Sequence, residues 1–189
     1  YASVTRAPSS KKGEKYLGVI LKYHDNPSKW DRVVGAIKPR VSIDKKVLDI
    51  GLIGAGNFAR NTILPVMKET GLYNFRALAT TGGVGASQAK DVFPFDYVTN
   101  DYKKLIEDKD IDLIVVSTQH NSHAKFVIEA LNADKNVYCE KPLCLNLEEL
   151  TAIEEAYKIS KGELFCGLNR RHAPLIQKIK KDLSTDKFP

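Results

Sequence analysis

The sequence lacks the signatures of a membrane protein, a secreted protein and a metalloprotein. None of its apolar runs approaches the ~18 residues that a membrane-spanning helix requires, and its N-terminus has neither the apolar core nor the cleavage pattern of a signal peptide. Only three of its 189 residues are cysteine, at Cys139, Cys144 and Cys166, and no two of them form a CxxC pair. We therefore expect reduced, buried thiols in a cytoplasmic protein, in preference to metal or redox chemistry.

The excess of positive charge is confined to one end of the chain. The formal net charge is +6. Residues 1–46 hold 11 Lys and Arg against 4 Asp and Glu, whereas the remainder holds 18 against 19. A basic protein can suggest nucleic acid, but the body of the domain is neutral, so a solvated extension is favoured over a nucleic-acid-binding arm. We therefore expect a solvated basic extension, with no nucleic-acid partner and no membrane partner.

From residue 46 onward, short apolar runs alternate with helical patterns. The runs predicted to be strands are residues 47–53, 75–80, 112–117, 136–139 and 164–168. The run at 112–117 is apolar without alternation, as a strand buried on both faces requires. Strands that alternate with helices predict an α/β fold, a doubly wound parallel sheet of the Rossmann type over residues 46–189.

Apolar residues at helical spacing predict three helices in the second half of the chain. The three sets are Ala124, Val127, Ile128 and Leu131; Leu147, Leu150, Ile153 and Tyr157; and Leu175, Ile176, Ile179 and Leu183. Asn146 followed by Glu149 resembles a capping box at the start of the second of these helices. Pro65 interrupts an earlier helical pattern, so that helix is expected to kink or restart there.

Residues 1–45 are interpreted as an extension, the tail of an upstream domain plus a linker. Their one strand-like run, residues 15–23 (KYLGVILKY), is followed by a turn signal at Asp25-Asn26-Pro27. A single strand cannot bury itself, so we expect this run to lie outside the main parallel sheet. Because the chain starts at Tyr1 rather than at methionine, we also expect it to be a piece of a longer protein.

A glycine-rich hexapeptide, GAGNFA, follows the first predicted strand and opens a helical segment. Gly54 allows a tight turn, Gly56 lets a pyrophosphate approach the backbone, and Ala59 allows the helix to pack closely on the strand. Free N–H groups at the start of the helix, near Asn57 and Phe58, attract phosphate. In this strand–turn–helix context the motif predicts dinucleotide binding, with a merely structural turn as the alternative.

The end of the second predicted strand offers no charged group to the ribose of adenosine. NAD-binding domains place an acid there, about 20 residues after the glycine turn, whereas this sequence reads ATTGG from Ala79. Thr80 and Thr81 can hydrogen-bond a ribose hydroxyl, although a plain turn explains Thr81 equally well. Because a 2′-phosphate would also lack a cation, NAD is slightly favoured over NADP.

Four spaced motifs carry a resemblance to a known family. They are the glycine turn, STQHNSH at residues 117–123, VYCEKPL at residues 137–143 and GLNRRHAP at residues 167–174. Together they resemble the Gfo/Idh/MocA oxidoreductase family, which includes glucose–fructose oxidoreductase and inositol 2-dehydrogenase. The resemblance covers about residues 46–189. It implies a nicotinamide cofactor, NAD or NADP, and a C-terminal domain for a sugar-like or cyclitol-like substrate, before which this chain is truncated.

The resemblance implies that Lys141 is the catalytic residue. It follows a predicted parallel strand, at the edge where α/β sheets bind ligands. A lysine there can donate to a substrate hydroxyl or carbonyl, or move a proton. Glu140 is expected to orient Lys141 or its loop at the cofactor, and a cis bond before Pro142 is compatible with the sequence. Arg170 and Arg171 either bind an acidic group or form a structural ion pair.

The loop after the strand at 112–117 is the other part of the expected cofactor site. Thr118, Gln119 and Asn121 are placed to touch the cofactor. His123 is expected to support this loop or to cap the following helix. The HxxH spacing of His120 and His123 occurs in metal sites, but no acid or cysteine completes a ligand set, so no metal is expected.

The sequence therefore predicts the NAD(P)-binding domain of a dehydrogenase that passes hydride between nicotinamide and a hydroxyl or carbonyl of a small polyol or sugar. The alternative is a non-catalytic regulatory module that binds a dinucleotide. Lys141 favours the enzyme, since a mere binding module would not need a lysine at that strand end. The chain alone is expected to bind cofactor without turnover, and homo-oligomer formation is left open.

The extension carries a second resemblance. Residues 16–21 (YLGVIL) look like the last strand of a zinc-type medium-chain dehydrogenase. Some bacterial proteins are similar to a fusion of that domain with a Gfo/Idh/MocA domain. The resemblance predicts that this chain spans the junction of such a fusion.

Overall fold

Seven strands form one sheet in the computed structural model, which describes residues 34–35, 47–81 and 92–182. The strands are β1 (Val34–Gly35), β2 (Leu48–Ile53), β3 (Tyr73–Ala79), β4 (Tyr97–Thr99), β5 (Leu113–Val116), β6 (Asn136–Cys139) and β7 (Leu164–Cys166). Their order across the sheet is β1-β4-β3-β2-β5-β6-β7. Strands β2 to β7 run parallel, and β1 is antiparallel to β4. The predicted parallel α/β sheet is confirmed.

The direction in which strands are added reverses at β2. The chain passes from β2 to β3 and β4 on one side, and then crosses to β5, which pairs with β2 on the other side. Such a reversal opens a crevice at the carboxyl ends of the two central strands. Ile53 and Val116, the last residues of β2 and β5, are register partners. This end of the sheet is therefore where a ligand is expected.

Helices connect the parallel strands. They are α1 (Leu64–Thr70), α2 (Lys103–Glu107), α3 (His123–Asn132), α4 (Leu147–Ile159) and α5 (Pro174–Asp182), with 3-10 turns at His120–Ser122 and Asn169–His172. A π-helical turn (Ala59–Ile63) precedes α1, and Pro65 lies in the first turn of α1. Proline removes one helical hydrogen bond, and here helical residues precede it directly. The helix does not restart there, because Ile63 and Leu64 both have right-handed helical angles and helical residues lie on both sides of Pro65. The irregularity near the proline is the π-helical turn that precedes α1.

Two hydrophobic clusters lie on opposite faces of the sheet. Along β5, Ile114 and Val116 belong to one cluster and Val115 to the other, because successive side chains of a strand point to opposite faces. Helices α3 and α4 contribute to the first cluster, and α1 contributes to the second. The sheet is thus covered by helices on both sides, which explains the unbroken apolar run of β5.

Helix α4 is capped as predicted but buries a different face. The Asn146 side chain accepts a hydrogen bond of 2.8 Å from the backbone N–H of Glu149, as the N-cap prediction requires. The placement of Leu147 and Tyr157 on the buried face is wrong, because both are exposed. The packed face of α4 is turned around the helix axis from the predicted stripe, because Ala156 is buried whereas the next residue, Tyr157, is exposed. The residues that α4 buries are Ile153 and Ala156.

Helix α5 confirms the last predicted helix but not the burial of its stripe. Leu175, Ile176 and Ile179 lie on it, and all three are exposed among the described residues.

Neither α5 nor any other described helix combines the length and the apolar character needed to cross a bilayer.

A buried arginine in β3 holds the loop that precedes β5. Arg76 is 1% exposed, and it donates from Nε to Asp108 (3.0 Å) and from Nη2 to Asp110 (2.9 Å). The hydroxyl of Tyr97 donates to the same Asp108 carboxylate at 2.9 Å. Burial opposes the ionisation of Asp108, but the hydrogen bonds from Arg76, from the Asp110 backbone and from Tyr97 outweigh it and lower the pKa of Asp108. The loop is therefore fixed by paired buried charges.

The N-terminal extension contributes one short strand. Val34 and Gly35 pair with Val98 and Tyr97 at the β4 edge, a contact that the sequence did not predict because two residues show no periodicity. The predictions for residues 15–23 and 16–21 lie outside the described residues and stay predictions, as does the division of the chain at residues 45 and 46.

Candidate cofactor and substrate site

Gly54 turns the chain out of β2 in a way that only glycine allows. Its φ is +92°, and its N–H donates to the carbonyl of Ala79 at 2.9 Å. A Cβ at this position would lie 2.5 Å from the carbonyl oxygen of Ser117 and 2.7 Å from Cγ2 of Thr118. Both the backbone angle and the close approach of the β5 loop therefore require glycine, which fits the tight turn predicted from the motif.

At Gly56, neither the backbone angle nor a close neighbour requires glycine. It is exposed, and a Cβ there would meet nothing closer than the Ser117 carbonyl oxygen at 3.9 Å. The fold leaves open space where the fingerprint predicts that a pyrophosphate approaches the backbone. Asn57 and Phe58 follow in the first helical turn, with the Asn57 side chain accepting from Arg60 at 2.8 Å. The turn therefore fits a dinucleotide phosphate.

The first cavity, of about 480 Å³, lies beside this turn at the carboxyl ends of the central strands. The predicted cofactor residues in its wall are Gly54, Thr80, Thr81, Thr118, Gln119 and Asn121. Six residues that the sequence analysis did not assign to the site also line it, namely Ile53, Ala79, Asn100, Tyr102, Ser122 and Phe126. The Tyr102 and Phe126 rings meet edge to face, with centroids 4.7 Å apart. Hydroxyls and amides beside an aromatic wall suit a ribose and an adenine.

Two further cavities continue from the first along the sheet edge. The second, of about 380 Å³, is lined by Phe58, Ser117, Thr118, His120, His123, Glu140, Lys141, Asn169 and Arg170. The third, of about 420 Å³, is lined by Lys141, Leu168, Asn169, Arg170 and Arg171. Thr118 borders the first and second cavities, and Lys141 borders the second and third. The glycine turn, through Gly54 and Phe58, and Lys141 thus line neighbouring cavities that share wall residues, and the three cavities together are called the groove.

His123 ties together the two loops that border the second cavity. Its ring is fully buried, with Nδ1 2.7 Å from the carbonyl oxygen of Pro142 and Nε2 3.2 Å from that of Thr118. Both partners are carbonyl oxygens, which only accept, so the ring donates to at least one of them. His123 thus supports the cofactor loop, as one of its two predicted roles requires, and it also begins α3. The Lys141–Pro142 bond is cis.

Glu140 is a nearly buried carboxylate in the wall of the second cavity. It is 7% exposed, and its Oε1 accepts from the Tyr138 hydroxyl at 2.5 Å. Its backbone N–H donates to the carbonyl of Val116 at 3.0 Å, which anchors the end of β6 to β5. Burial, together with the neighbouring carboxylate, raises the pKa of Tyr138, so the phenol stays neutral and acts as the donor.

Lys141 is exposed in the groove, and its side chain forms no hydrogen bond or ion pair with the residues that the structure describes. Arg171 is engaged, donating to the Cys166 carbonyl at 3.1 Å and lying over the Phe165 ring at 5.0 Å. Arg170 borders both the second and the third cavity. Of the two uses considered for these arginines, the ion pair is absent from the described residues.

Two of the missed residues have identifiable reasons. Asn100 directly follows β4, a strand of three residues that the sequence analysis did not identify. Once β4 is known, the rule that ligands lie at the carboxyl ends of parallel strands points to Asn100. Phe126 lies on the predicted helix α3, outside its apolar stripe, and it packs against the first hydrophobic cluster while lining the cavity.

A protein metal site needs several ligating side chains grouped together. Within residues 47–81 and 92–182, no three His, Cys, Asp or Glu side chains are grouped so that they could hold a metal ion. His120 and His123 meet edge to face, with ring centroids 5.6 Å apart, but both ring nitrogens of His123 already face carbonyl oxygens.

Comparison with known families matches residues 48–167 to GFO_IDH_MocA, described as "Oxidoreductase family, NAD-binding Rossmann fold". The chain is also similar to myo-inositol 2-dehydrogenase of Thermotoga maritima, with 33% identity over 135 residues, which is 69% of this chain and 39% of that protein. An uncharacterised oxidoreductase of Bacillus subtilis, YrbE, is 31% identical over 140 residues, or 71% and 39% of the two chains. The chain spans about two-fifths of the length of these relatives.

Among solved structures, a levoglucosan dehydrogenase in complex with NADH and levoglucosan has the same fold. The TM-score is 0.65 at 29% identity, over 72% of this chain and 39% of that chain. The cofactor-free form of levoglucosan dehydrogenase matches equally well, with a TM-score of 0.65 at 27% identity, over 74% and 38% of the two chains.

Proposed function

Because the chain belongs to the Gfo/Idh/MocA oxidoreductase family, we propose that it supplies the cofactor half of a dehydrogenase that acts on a sugar or cyclitol. The reaction passes hydride between nicotinamide and a substrate hydroxyl or carbonyl. One observation carries the proposal: the glycine turn, through Gly54 and Phe58, and Lys141 line neighbouring cavities that share Thr118 at the carboxyl edge of the sheet. This arrangement supports phosphate binding and proton chemistry at two parts of one elongated ligand.

Each part of the groove has residues suited to one part of the cofactor. The turn from Gly54 to Phe58 would hold the pyrophosphate. Thr80 and Thr81, with Asn100 beside them, would hold the adenosine ribose, while residues 118–121 would flank the centre. Glu140 and Lys141 would lie at the nicotinamide. When bound, nicotinamide accepts or supplies the hydride, and the chain provides binding and orientation.

Lys141 is the residue proposed to act on the substrate oxygen. Its ammonium can donate a hydrogen bond from Nζ to a carbonyl that is being reduced, and it can deliver the proton that this oxygen needs. In the opposite direction, the neutral amine can accept the proton of the hydroxyl as hydride leaves carbon. Positioned acid–base groups contribute about 10²–10⁴-fold to rate. The Pro142 bond and the His123 contact fix the loop from which this side chain projects.

Sugar-like and cyclitol-like substrates are proposed from the relatives, since myo-inositol 2-dehydrogenase and levoglucosan dehydrogenase are named for such compounds. The comparisons give no support to the alternative of a purely regulatory module. Since a substrate must be held close to nicotinamide for transfer, we propose that this chain alone binds cofactor without turnover. A cytoplasmic location, oligomer formation and the fusion with a zinc-type dehydrogenase stay predictions.

The test is calorimetric titration of the chain with NADH and with NADPH. We expect saturable binding of at least one of them, weakened by Gly56→Val. Absorbance of the nicotinamide band, followed with myo-inositol and levoglucosan, measures turnover by the chain alone, and none is expected. If neither dinucleotide binds, the proposed function is wrong. If the chain alone oxidises a polyol at an enzyme-like rate, the proposed division between cofactor and substrate halves is wrong.

A further inference from the structure

A tyrosine that no motif singles out supports the carboxylate beside Lys141. Tyr138 lies on β6, two residues before Glu140, so both side chains lie on the same side of that segment. The Tyr138 hydroxyl donates to Oε1 of Glu140 at 2.5 Å. The Tyr138 ring stacks on Phe165 of the neighbouring strand β7, with centroids 5.8 Å apart and ring planes 17° apart. The hydroxyl is thus fixed by a ring that has its own packing partner.

Gly167 shows that the structure reserves space for this pair. It follows β7, and a Cβ there would lie 2.6 Å from the Tyr138 hydroxyl oxygen and 2.9 Å from Oε1 of Glu140. No positive φ requires glycine at this position, in contrast to Gly54. The absence of a side chain at Gly167 is therefore explained by the tyrosine–carboxylate pair.

The hydrogen bond from Tyr138 restricts the position of the Glu140 carboxylate. Glu140 is adjacent in sequence to Lys141, and both border the second cavity. Opposite charges that border one cavity attract each other, yet no ion pair joins Glu140 and Lys141 in the described part of the chain. With Oε1 occupied by the phenol, the Glu140 side chain is retained in the cavity wall. Its second oxygen remains available to a ligand, and Lys141 remains available to the substrate.

We propose that Tyr138 is a positioning residue, which holds Glu140 in the wall of the cofactor cavity and keeps it from pairing with Lys141. The inference rests on the proposed function. It makes Tyr138 act through Glu140, so removing the hydroxyl should weaken cofactor binding only while Glu140 is present. A merely structural tyrosine would weaken binding to the same degree with or without that carboxylate.

The experiment is a double-mutant cycle on NADH affinity, measured by calorimetry on the chain. Tyr138→Phe keeps the ring that stacks on Phe165 and should weaken binding about fivefold to tenfold. In the Glu140→Ala background, the same substitution should change affinity less than twofold. Gly167→Ala leaves the hydroxyl in place but displaces the pair, and it should weaken binding to a similar extent. Thermal unfolding of each variant checks that the fold is kept.

Tyr157→Phe is the matched control. The Tyr157 hydroxyl donates to Glu163 at 2.9 Å, which is the same kind of hydrogen bond on an exposed surface away from the groove. It should leave NADH affinity unchanged. Parental affinity in folded Tyr138→Phe, or an equal loss with and without Glu140, overturns this inference alone. If the parent chain binds neither NADH nor NADPH, the proposed function fails and this inference fails with it.

Discussion

Gly56→Val distinguishes a glycine that is needed for cofactor binding from a glycine that is needed only for the fold of the turn. A Cβ at position 56 would lie 3.9 Å from its nearest neighbour, and the position has no positive φ. The substitution should therefore change the free energy of unfolding by no more than about 0.5 kcal/mol. The isopropyl group would occupy the space in front of the backbone N–H groups, where the pyrophosphate is expected. We predict at least a tenfold loss of NADH affinity, or about 1.4 kcal/mol.

Gly54→Ala is the opposite case and serves as the comparison. Its φ of +92° and the Ser117 carbonyl oxygen at 2.5 Å would force the turn to move. This substitution should lower the melting temperature by roughly 5 °C or more, whereas Gly56→Val should not. Calorimetry with NADH and thermal unfolding measure both variants. Equal NADH affinity in Gly56→Val and the parent would show that the turn is only structural, and the reasoning would be refuted.

Three further predictions concern the buried charges, the cofactor and the lysine. Asp108→Asn should lower the free energy of unfolding at pH 7, measured with urea, by about 2 kcal/mol, because Arg76 loses its principal partner. The pKa of Asp108 is lowered in the folded state. The parent should therefore keep this contribution to stability above about pH 4 and lose it as the pH falls through the folded-state pKa. A variant as stable as the parent would contradict this. Calorimetry should give dissociation constants for NAD and NADP within about tenfold of each other, with NAD bound more tightly, because no charged residue follows Ala79; a hundredfold preference would refute the argument. The role of Lys141 is tested in an enzyme that joins this chain to its substrate-binding residues. In steady-state kinetics, Lys141→Ala should reduce kcat by roughly a hundredfold or more and leave cofactor affinity unchanged. Lys158→Ala, on the exposed face of α4, is the control and should behave as the parent.

The fold could be predicted from the sequence where one physical requirement dominated a segment. The apolar run of β5 needed burial on both faces, and the glycine turn needed a strand before it and a helix after it. Two short strands gave no such signal. Strand β4 has only three residues, and β1 has only two, so neither shows a period. Their places depend on the edge of a sheet that the rest of the chain builds.

Helix α4 shows where periodicity misleads. Leu147 and Tyr157 have helical spacing from Ile153, yet both are exposed. Ala156, the residue before Tyr157, is buried, so the packed face of α4 is turned around the helix axis from the predicted stripe and passes through a small residue that the search for large apolar side chains omitted. Arg76 shows the converse, since a charged residue in a strand predicts an exposed face and this one is 1% exposed. Its burial depends on carboxylates more than 30 residues away in sequence, which no local pattern reveals.

The site divides in the same way between residues that bind and residues that position. Gly56 and Lys141 are readable from the sequence because each meets a chemical demand at its own position, namely free backbone or a cation at a strand end. The residues proposed to position them depend on contacts with residues on other loops and strands. His123 is defined by two carbonyl groups on different loops, and Tyr138 by a carboxylate whose space depends on Gly167 in the next strand. A motif therefore locates the chemistry of such a site, whereas the geometry that makes the chemistry selective has to be taken from the packing of neighbouring strands.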